Sequence, residues 1–262
     1  MELTRIGGPT VLVELDGWRI LVDPTFDAPG RRYSFGWGTS SRKTLGPALP
    51  AAALGRVDLV LVSHDHHADN LDDAGRALLP SAGAVVTTAS GARRLALPHA
   101  HGLRTGDTVV LAPPSGSVAP TLEVTATPCR HGPPLSYPIV GDVIGFAIRR
   151  AGEAQVALWV SGDTVLYPVL RRFARELDVD VAIINVGGVQ FGLTGPVRYT
   201  LDGTDAVTLI GLAEPRVAAL AHYDGWSHFR DGEHGLRRAL EAAPATVRDR
   251  ALWLTDGVPV EA

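Results

Sequence analysis

The stretch that most constrains this chain is Ser63-His64-Asp65-His66-His67-Ala68-Asp69-Asn70, which follows directly on the apolar run Val57-Asp58-Leu59-Val60-Leu61-Val62. A short run of aliphatic residues bounded by polar ones reads as a buried strand. The chain therefore leaves its core straight into three imidazoles and two carboxylates. Polar groups crowded against a buried strand cost free energy unless something compensates them. A bound cation does so, because it neutralises carboxylates and uses imidazole lone pairs. The alternative is a solvated loop in which Asp69 or Asn70 caps the following helix.

The metal reading is favoured because groups of the same kind recur downstream. They are His131 in Thr127-Pro128-Cys129-Arg130-His131-Gly132, Asp163 in Ser161-Gly162-Asp163-Thr164, and His222 in Ala221-His222-Tyr223-Asp224-Gly225-Trp226. Each follows a predicted strand and precedes a turn or helix. In layered α/β folds such strand ends converge on one edge of the sheet, where sites are commonly built. Singly, His131 and His222 read as surface or core histidines and Asp163 as a helix cap; the whole set in this order points to a site.

The predicted elements frame these residues. Strands are expected at 11–15 and 18–22 around the hairpin signal Asp16-Gly17, then at 57–62, 84–88, 108–111, 122–127, 143–149 and 154–161. The second half alternates helix (167–176, 205–213, 235–243) with strand (179–185, 217–221, 251–254). Shorter helices are expected at 71–79 and at 90–95, the latter with Ser90 as a candidate N-cap. Residues 27–50, rich in Gly, Pro, Ser and Arg, read as a long loop. With Arg31, Arg32, Tyr33 and Trp37 it could equally cover a pocket and choose a substrate or form a surface excursion. Strands first and strand–helix units later suggest two sheets with helices outside. No linker divides the chain, so one domain spanning 1–262 is expected.

Composition narrows the function. The net charge is −4 and there is no Lys/Arg-rich run, which disfavours a nucleic-acid partner. No apolar run approaches the roughly 20 residues needed to span a bilayer, and the N-terminus lacks a signal-peptide layout. The single cysteine, Cys129, excludes an intramolecular disulfide and suits a reducing, cytoplasmic setting. A transition metal here must therefore be held by His and carboxylates, which suits zinc, manganese or iron.

The order of these motifs resembles the metallo-β-lactamase superfamily, whose signature is His-x-His-x-Asp-His followed by a distant His, an Asp and a final His. The flanking words Ile20-Leu21-Val22-Asp23-Pro24, Ser63-His64-Asp65 and Ser161-Gly162-Asp163-Thr164 most resemble the branch containing L-ascorbate-6-phosphate lactonase. The resemblance spans about residues 1–255 and is specific for fold rather than substrate. It implies an α/β fold, a four-layer αββα sandwich. It also implies that His131, Asp163 and His222 take the later ligand positions, with Asp163 bridging two metals and Asp23 supporting the site from behind. The first motif departs from the family. Counted from His64, the spacing gives His64 and His66 but then Ala68 and Asp69. Counted from Asp65, it gives Asp65, His67, Asp69 and Asn70. A third register keeps His64 at the strand end and matches His67-Ala68-Asp69-Asn70-Leu71-Asp72 to the family's His-x-Asp-His-Leu-Asp, with one extra residue between; it is preferred. His64, His66, His67 and Asp69 are all candidate ligands. Asn70 stands where an imidazole is expected and leaves a second ion less well held.

The implied function is a metal-dependent hydrolase of a small-molecule lactone, ester or phosphodiester. Zinc is the first expectation, as one or two ions, with manganese or iron as alternatives. Metal-activated water would supply hydroxide at neutral pH, with Asp69 orienting the water and carrying its proton. The alternatives are an iron-dependent redox protein of the same fold and a metal-binding regulatory protein with a degraded site. His99 and His101 read as surface residues. His228 reads either as a packing residue or as pocket lining, and the pair Gly187-Gly188 does not make a phosphate loop.

Overall fold

The computed structural model describes residues 1–36, 38–134 and 136–262. In chain order the first half supplies β1 (Glu2–Gly7), β2 (Thr10–Leu15), β3 (Trp18–Val22), a small hairpin of β4 (Arg32–Gly36) and β5 (Thr39–Arg42), β6 (Leu59–Val62), α1 (Asp73–Leu78), β7 (Ala84–Thr88), α2 (Ala89–Leu95) and β8 (Ala100–Leu103). There follow β9 (Thr108–Leu111), β10 (Leu122–Thr127), α3 (Tyr137–Val140), β11 (Gly145–Arg150), β12 (Val156–Val160), α4 (Pro168–Glu176) and β13 (Val179–Asn185). The chain ends with α5 (Gly203–Ala213), β14 (Val217–Ala221), α6 (Gly232–Glu241), α7 (Ala245–Arg248), β15 (Ala251–Trp253) and β16 (Val260–Glu261).

These strands form two seven-stranded sheets, ordered β16-β1-β2-β3-β6-β7-β8 and β15-β14-β13-β12-β11-β10-β9. The core between them draws on both: Val11, Val13, Ile20, Leu59 and Leu61 from the first meet Val124, Phe146, Ile148, Leu158 and Ile183 from the second. On the outer face of the second sheet, Trp159, Ala182 and Leu220 pack under Leu170, Leu209 and Leu236 of α4, α5 and α6. On the outer face of the first, Leu12, Leu21, Val60 and Val85 meet Leu54, Leu71 and Leu79. Each sheet is thus apolar on both faces, which forces the four-layer αββα arrangement. The parallel strands β3-β6-β7-β8 and β12-β13-β14-β15 bring several carboxyl ends to one edge of the sandwich.

The Asp16-Gly17 turn is a tight hairpin with φ of 49° and 89°, the double positive φ that Asp-Gly favours. Several local expectations are corrected. β1 was not expected from its mixed sequence. It is a buried strand because Leu3 and Ile6 are core residues and Arg5 is matched by Asp224 and Asp256. The cap of α2 is Thr88, whose hydroxyl accepts from the Gly91 N–H, while Ser90 bonds Asp142 instead. The α1 cap is Asp72, two residues beyond Asn70.

Residues 27–50 are not a featureless loop. They carry the β4–β5 hairpin, tied down by Lys43, whose Nζ lies 2.8 Å from Asp72 Oδ2 with both side chains buried. Asp72 also accepts from the backbone N–H groups of Phe26, Asp27 and Gly75, so one carboxylate joins the hairpin to the start of α1. Breaking a buried pair by removing one partner leaves an uncompensated charge, typically at a cost of about 3–5 kcal/mol. Lys43→Met is expected to lower unfolding free energy by about that amount, read by urea denaturation. A loss below about 1 kcal/mol would show that the backbone donors alone satisfy Asp72.

Candidate metal centre

The sandwich edge collects six residues from the segments that follow four strands. His64 follows β6 directly, and the turn after it carries His67 and Asp69. His131 follows β10, Asp163 follows β12, and His222 follows β14. Gly162 makes the Asp163 turn possible: its φ is 63°, and a Cβ there would stand 2.7 Å from the Ile144 carbonyl oxygen. His222 also has a positive φ of 59°, an unusual conformation for a non-glycine residue. Its N–H is anchored on the Gly8 carbonyl at 2.8 Å.

Two groups of donor atoms result, His64 with His67 and His131, and Asp69 with Asp163 and His222; within each, the atoms lie within 4.8 Å of one another and all six residues are buried. In the first group, His67 Nδ1 lies 3.1 Å from His64 Nε2 and 3.2 Å from His131 Nε2. His131 Nδ1 faces the Tyr199 carbonyl at 2.8 Å and must donate to it, so its Nε2 presents a lone pair. Burial holds His64 down to about 4 and lowers His67 and His131 as well. All three imidazoles are therefore neutral at pH 7, and one N–H at His67 cannot give each neighbour a good bond. A cation accepts all three lone pairs.

The second group carries the charge. Burial opposes ionisation of Asp69 and Asp163, but the His222 imidazole overrides it and holds both carboxyls below their ordinary range. Burial likewise opposes protonation of His222, yet these carboxylates raise it to about 10. His222 Nδ1 lies 3.0 Å from Asp163 Oδ1 and its Nε2 lies 3.6 Å from Asp69 Oδ2. Asp69 Oδ1, Asp163 Oδ2 and His222 Nε2 are nevertheless buried without a hydrogen-bond partner. Unpaired buried polar atoms are costly, and three of them at one point fit a divalent cation.

Other expected residues take supporting places. Asp23 touches neither group. Its carboxylate accepts from the Ser63 N–H at 2.7 Å and from the Asn70 amide at 3.2 Å, and burial raises it to about 7. Asn70 is thus turned toward Asp23 and Ser63 rather than into a donor group. Asp65 pairs with Arg94 through both carboxylate oxygens. His66 also stands apart, with its ring packed on Gly141. Of the seven expected ligands it alone joins neither group. His99 bonds the Leu79 carbonyl, consistent with a structural role.

Two residues were missed or undervalued in the sequence. Asn185, at the end of β13, donates to Asp163 Oδ1 at 3.0 Å; only its strand-end position hinted at this. His228 places Nε2 3.1 Å from Asp69 Oδ2 and Nδ1 against Ser41 Oγ, so an imidazole does stand beside Asp69, from a different loop than expected. A cavity opens above Asp69, His67, His131 and His228, and Phe35 and Thr39 of the β4–β5 hairpin line it. Tyr33 instead bonds Asp27 and Arg31 pairs with Asp73. Trp37 lies outside the described residues.

Residues 18–223 match a family profile described as beta-lactamase superfamily domain. A UPF0173 metal-dependent hydrolase of Caldivirga maquilingensis is 27% identical over 250 residues, covering 94% of this chain and 92% of the relative. Among solved structures, the isothiocyanate hydrolase from Delia radicum gut bacteria superposes with a TM-score of 0.78 at 19% identity, covering 100% of this chain and 99% of that one. The diiron β-hydroxylase CmlA of Streptomyces venezuelae superposes with a TM-score of 0.68 at 16% identity, covering 100% of this chain and 54% of its own.

The titration of these groups sets a pH dependence for chelator-treated protein. The three depressed imidazoles refuse protons that the unfolded chain accepts below the ordinary value of 6.5, so stability falls as pH drops from 6.5 toward 4. Asp23 opposes this limb but is outnumbered. His222 keeps, up to about 10, a proton that the unfolded chain loses above 6.5, so stability also falls as pH rises through that window. Thermal melts in chelator are expected to peak near pH 6.5, and His222→Gln should flatten the alkaline limb. An alkaline limb unchanged in that variant would refute the assignment.

Proposed function

From membership of the beta-lactamase superfamily, to which the chain belongs as a metal-dependent hydrolase, we propose that it hydrolyses a small molecule at a centre of one or two divalent cations. The observation that carries this reading is the pair of buried donor groups with three partnerless atoms in the second. His64, His67 and His131 would hold one ion, and Asp69, Asp163 and His222 would hold the other. His66 is left outside this set. The donors suit zinc, manganese and iron alike; zinc is the first expectation. The single cysteine suits a reducing compartment such as the cytoplasm.

A bound divalent cation acidifies water toward a pKa of about 7 and polarises a carbonyl or phosphoryl oxygen. The chain's own residues do the rest. Asp69 Oδ2 is fixed by His228 and faces His222, and Asp69 lines the cavity, where its carboxylate would orient the attacking water and take up its proton. His228 thereby orients Asp69 from another loop, without joining either donor group. Asn185 and the strained His222 backbone hold Asp163 and His222 in place, so the site needs little rearrangement during reaction. This machinery serves a lactone, ester or phosphodiester equally, including phosphosugar lactones of the branch the sequence resembles.

Purified wild-type protein is expected to carry zinc, manganese or iron by elemental analysis, and a His131→Ala, His222→Ala double variant to lose most of it. Equal metal in both would sink the ligand assignment. With a hydrolysed substrate in hand, Asp69→Asn should lower kcat by about 10²–10⁴-fold, the usual worth of a positioned acid–base group. Asp73→Asn, on the solvent side of α1, should leave kcat within about twofold of the wild type. Unchanged turnover in Asp69→Asn would remove its proton-carrying role.

A further inference from the structure

The cavity above the metal centre has walls of apolar and aromatic side chains over a polar floor. Phe35, Phe191, Tyr199, Val140 and Val189 form its walls, and the other described lining residues are Thr39, Thr194 and the site residues His67, Asp69, His131 and His228. Phe191 stacks on His228 with ring centroids 5.3 Å apart, and Phe35 lies 5.0 Å from His67 and 5.2 Å from His228. Tyr199 and Phe191 meet edge to face at 5.7 Å. The rings therefore begin where the candidate ligands end, and any group attached to the reacting atom must lie against them.

No Lys or Arg is among the described residues lining this cavity. Lys43 pairs with Asp72, Arg94 with Asp65, Arg31 with Asp73 and Arg198 with Asp202. Arg130 lines a separate cavity that shares His131 and Val140 with the first. Its guanidinium lies over the Tyr167 ring, and Asp142 lines the same second cavity. A phosphorylated or carboxylated substituent entering the aromatic cavity would lose its hydration and meet no compensating cation, which is costly. Proteins that recognise phosphate groups commonly supply Arg or Lys forks for the purpose. An apolar substituent gains free energy by the same transfer.

Resting on the metal-hydrolase reading above, we propose that the substrate is an uncharged acyl compound, an ester or lactone, bearing a compact apolar substituent of up to about phenyl size, and not a phosphodiester or phosphosugar. The acyl carbon lies over Asp69 and the substituent against the Phe35 and Phe191 rings, which pack together with centroids 5.8 Å apart and both line the cavity. In the reaction the water oxygen bonds to the acyl carbon and the acyl C–O bond breaks. One proton of the water passes through Asp69 to the departing alkoxide, giving the alcohol. The other leaves the carboxylic acid product to solvent.

The test uses full-length, metal-loaded protein and four 4-nitrophenyl compounds: the phenylacetate ester, the acetate ester, the hemisuccinate ester and bis(4-nitrophenyl) phosphate. kcat/KM for the phenylacetate is expected to exceed that for the acetate and the hemisuccinate by at least about tenfold, the scale on which apolar pockets discriminate, with the phosphate lowest. Phe191→Ala should shrink the phenylacetate advantage mainly through KM. Thr194→Lys, at the cavity rim, should raise the hemisuccinate relative to the phenylacetate. A metal-dependent preference for the phosphate or the hemisuccinate overturns the substrate class while leaving the hydrolase reading intact. Absence of turnover on every compound counts against the hydrolase reading instead. The cavity is then judged by NMR titration with phenylacetamide and phenyl phosphate. Tighter phenylacetamide binding that weakens in Phe191→Ala supports the assignment, and tighter phenyl phosphate binding, or none of either, overturns it.

Discussion

Asp69 and Asp163 reach the same imidazole, that of His222, from opposite sheets of the sandwich. Asp69 follows β6 of the first sheet, Asp163 follows β12 of the second, and all three side chains are buried. Two carboxylates desolvated side by side are tolerated only with positive charge between them. In the protein alone that charge is a proton on His222; a metal ion can replace it and also satisfy the atoms that remain partnerless. These groups meet where the packed sheets bring their strand ends to one edge, and His222 reaches that point with a positive φ of 59°.

The surrounding hydrogen bonds serve this convergence. Asp23, at the end of β3, holds Ser63 and Asn70 behind the first donor group. Asn185, at the end of β13, holds Asp163. Ser41 of β5 and His228 of the loop after β14 are far apart in sequence, and together they hold Asp69. Such supporting partners orient ligands and tune them, and here each sheet contributes its own. The hairpin fastened by the Lys43–Asp72 pair adds Phe35, so one segment contributes both to stability and to the wall of the cavity. A polar floor under an aromatic wall is the arrangement expected of a small-molecule site.

The chemistry and the fold were legible in the sequence for a simple reason. A strand that ends in His64-Asp65-His66-His67-Ala68-Asp69, with single His or Asp residues at later strand ends, has few uses other than binding a cation. Alternating and apolar runs marked most strands, since side-chain periodicity follows backbone geometry. β1 escaped because its buried Arg5 looks like a surface residue until Asp224 and Asp256 are brought beside it by the fold. The β4–β5 hairpin escaped because its Gly- and Ser-rich composition carries little strand signal. The α2 cap was misplaced by two residues because Thr88 and Ser90 are both good caps, and Asp142, distant in sequence, claims Ser90.

What the sequence by itself determined is the inventory: which residue types stand at strand ends, and that they must be reconciled with burial. Only the tertiary structure decided how the inventory is divided. Along the chain the preferred register favours His67 but keeps His66 as a candidate; in space α2 places Arg94 on Asp65 and Gly141 receives the His66 ring, so His67 alone turns inward to His64. Asn70 reads in sequence as a lost imidazole; in space His228, 158 positions later, stands beside Asp69 instead. Spacing along a strand or turn is a local property and can be read locally. The partner of a side chain in a loop depends on which other loops share its edge of the sandwich, and that is set by the packing of the two sheets.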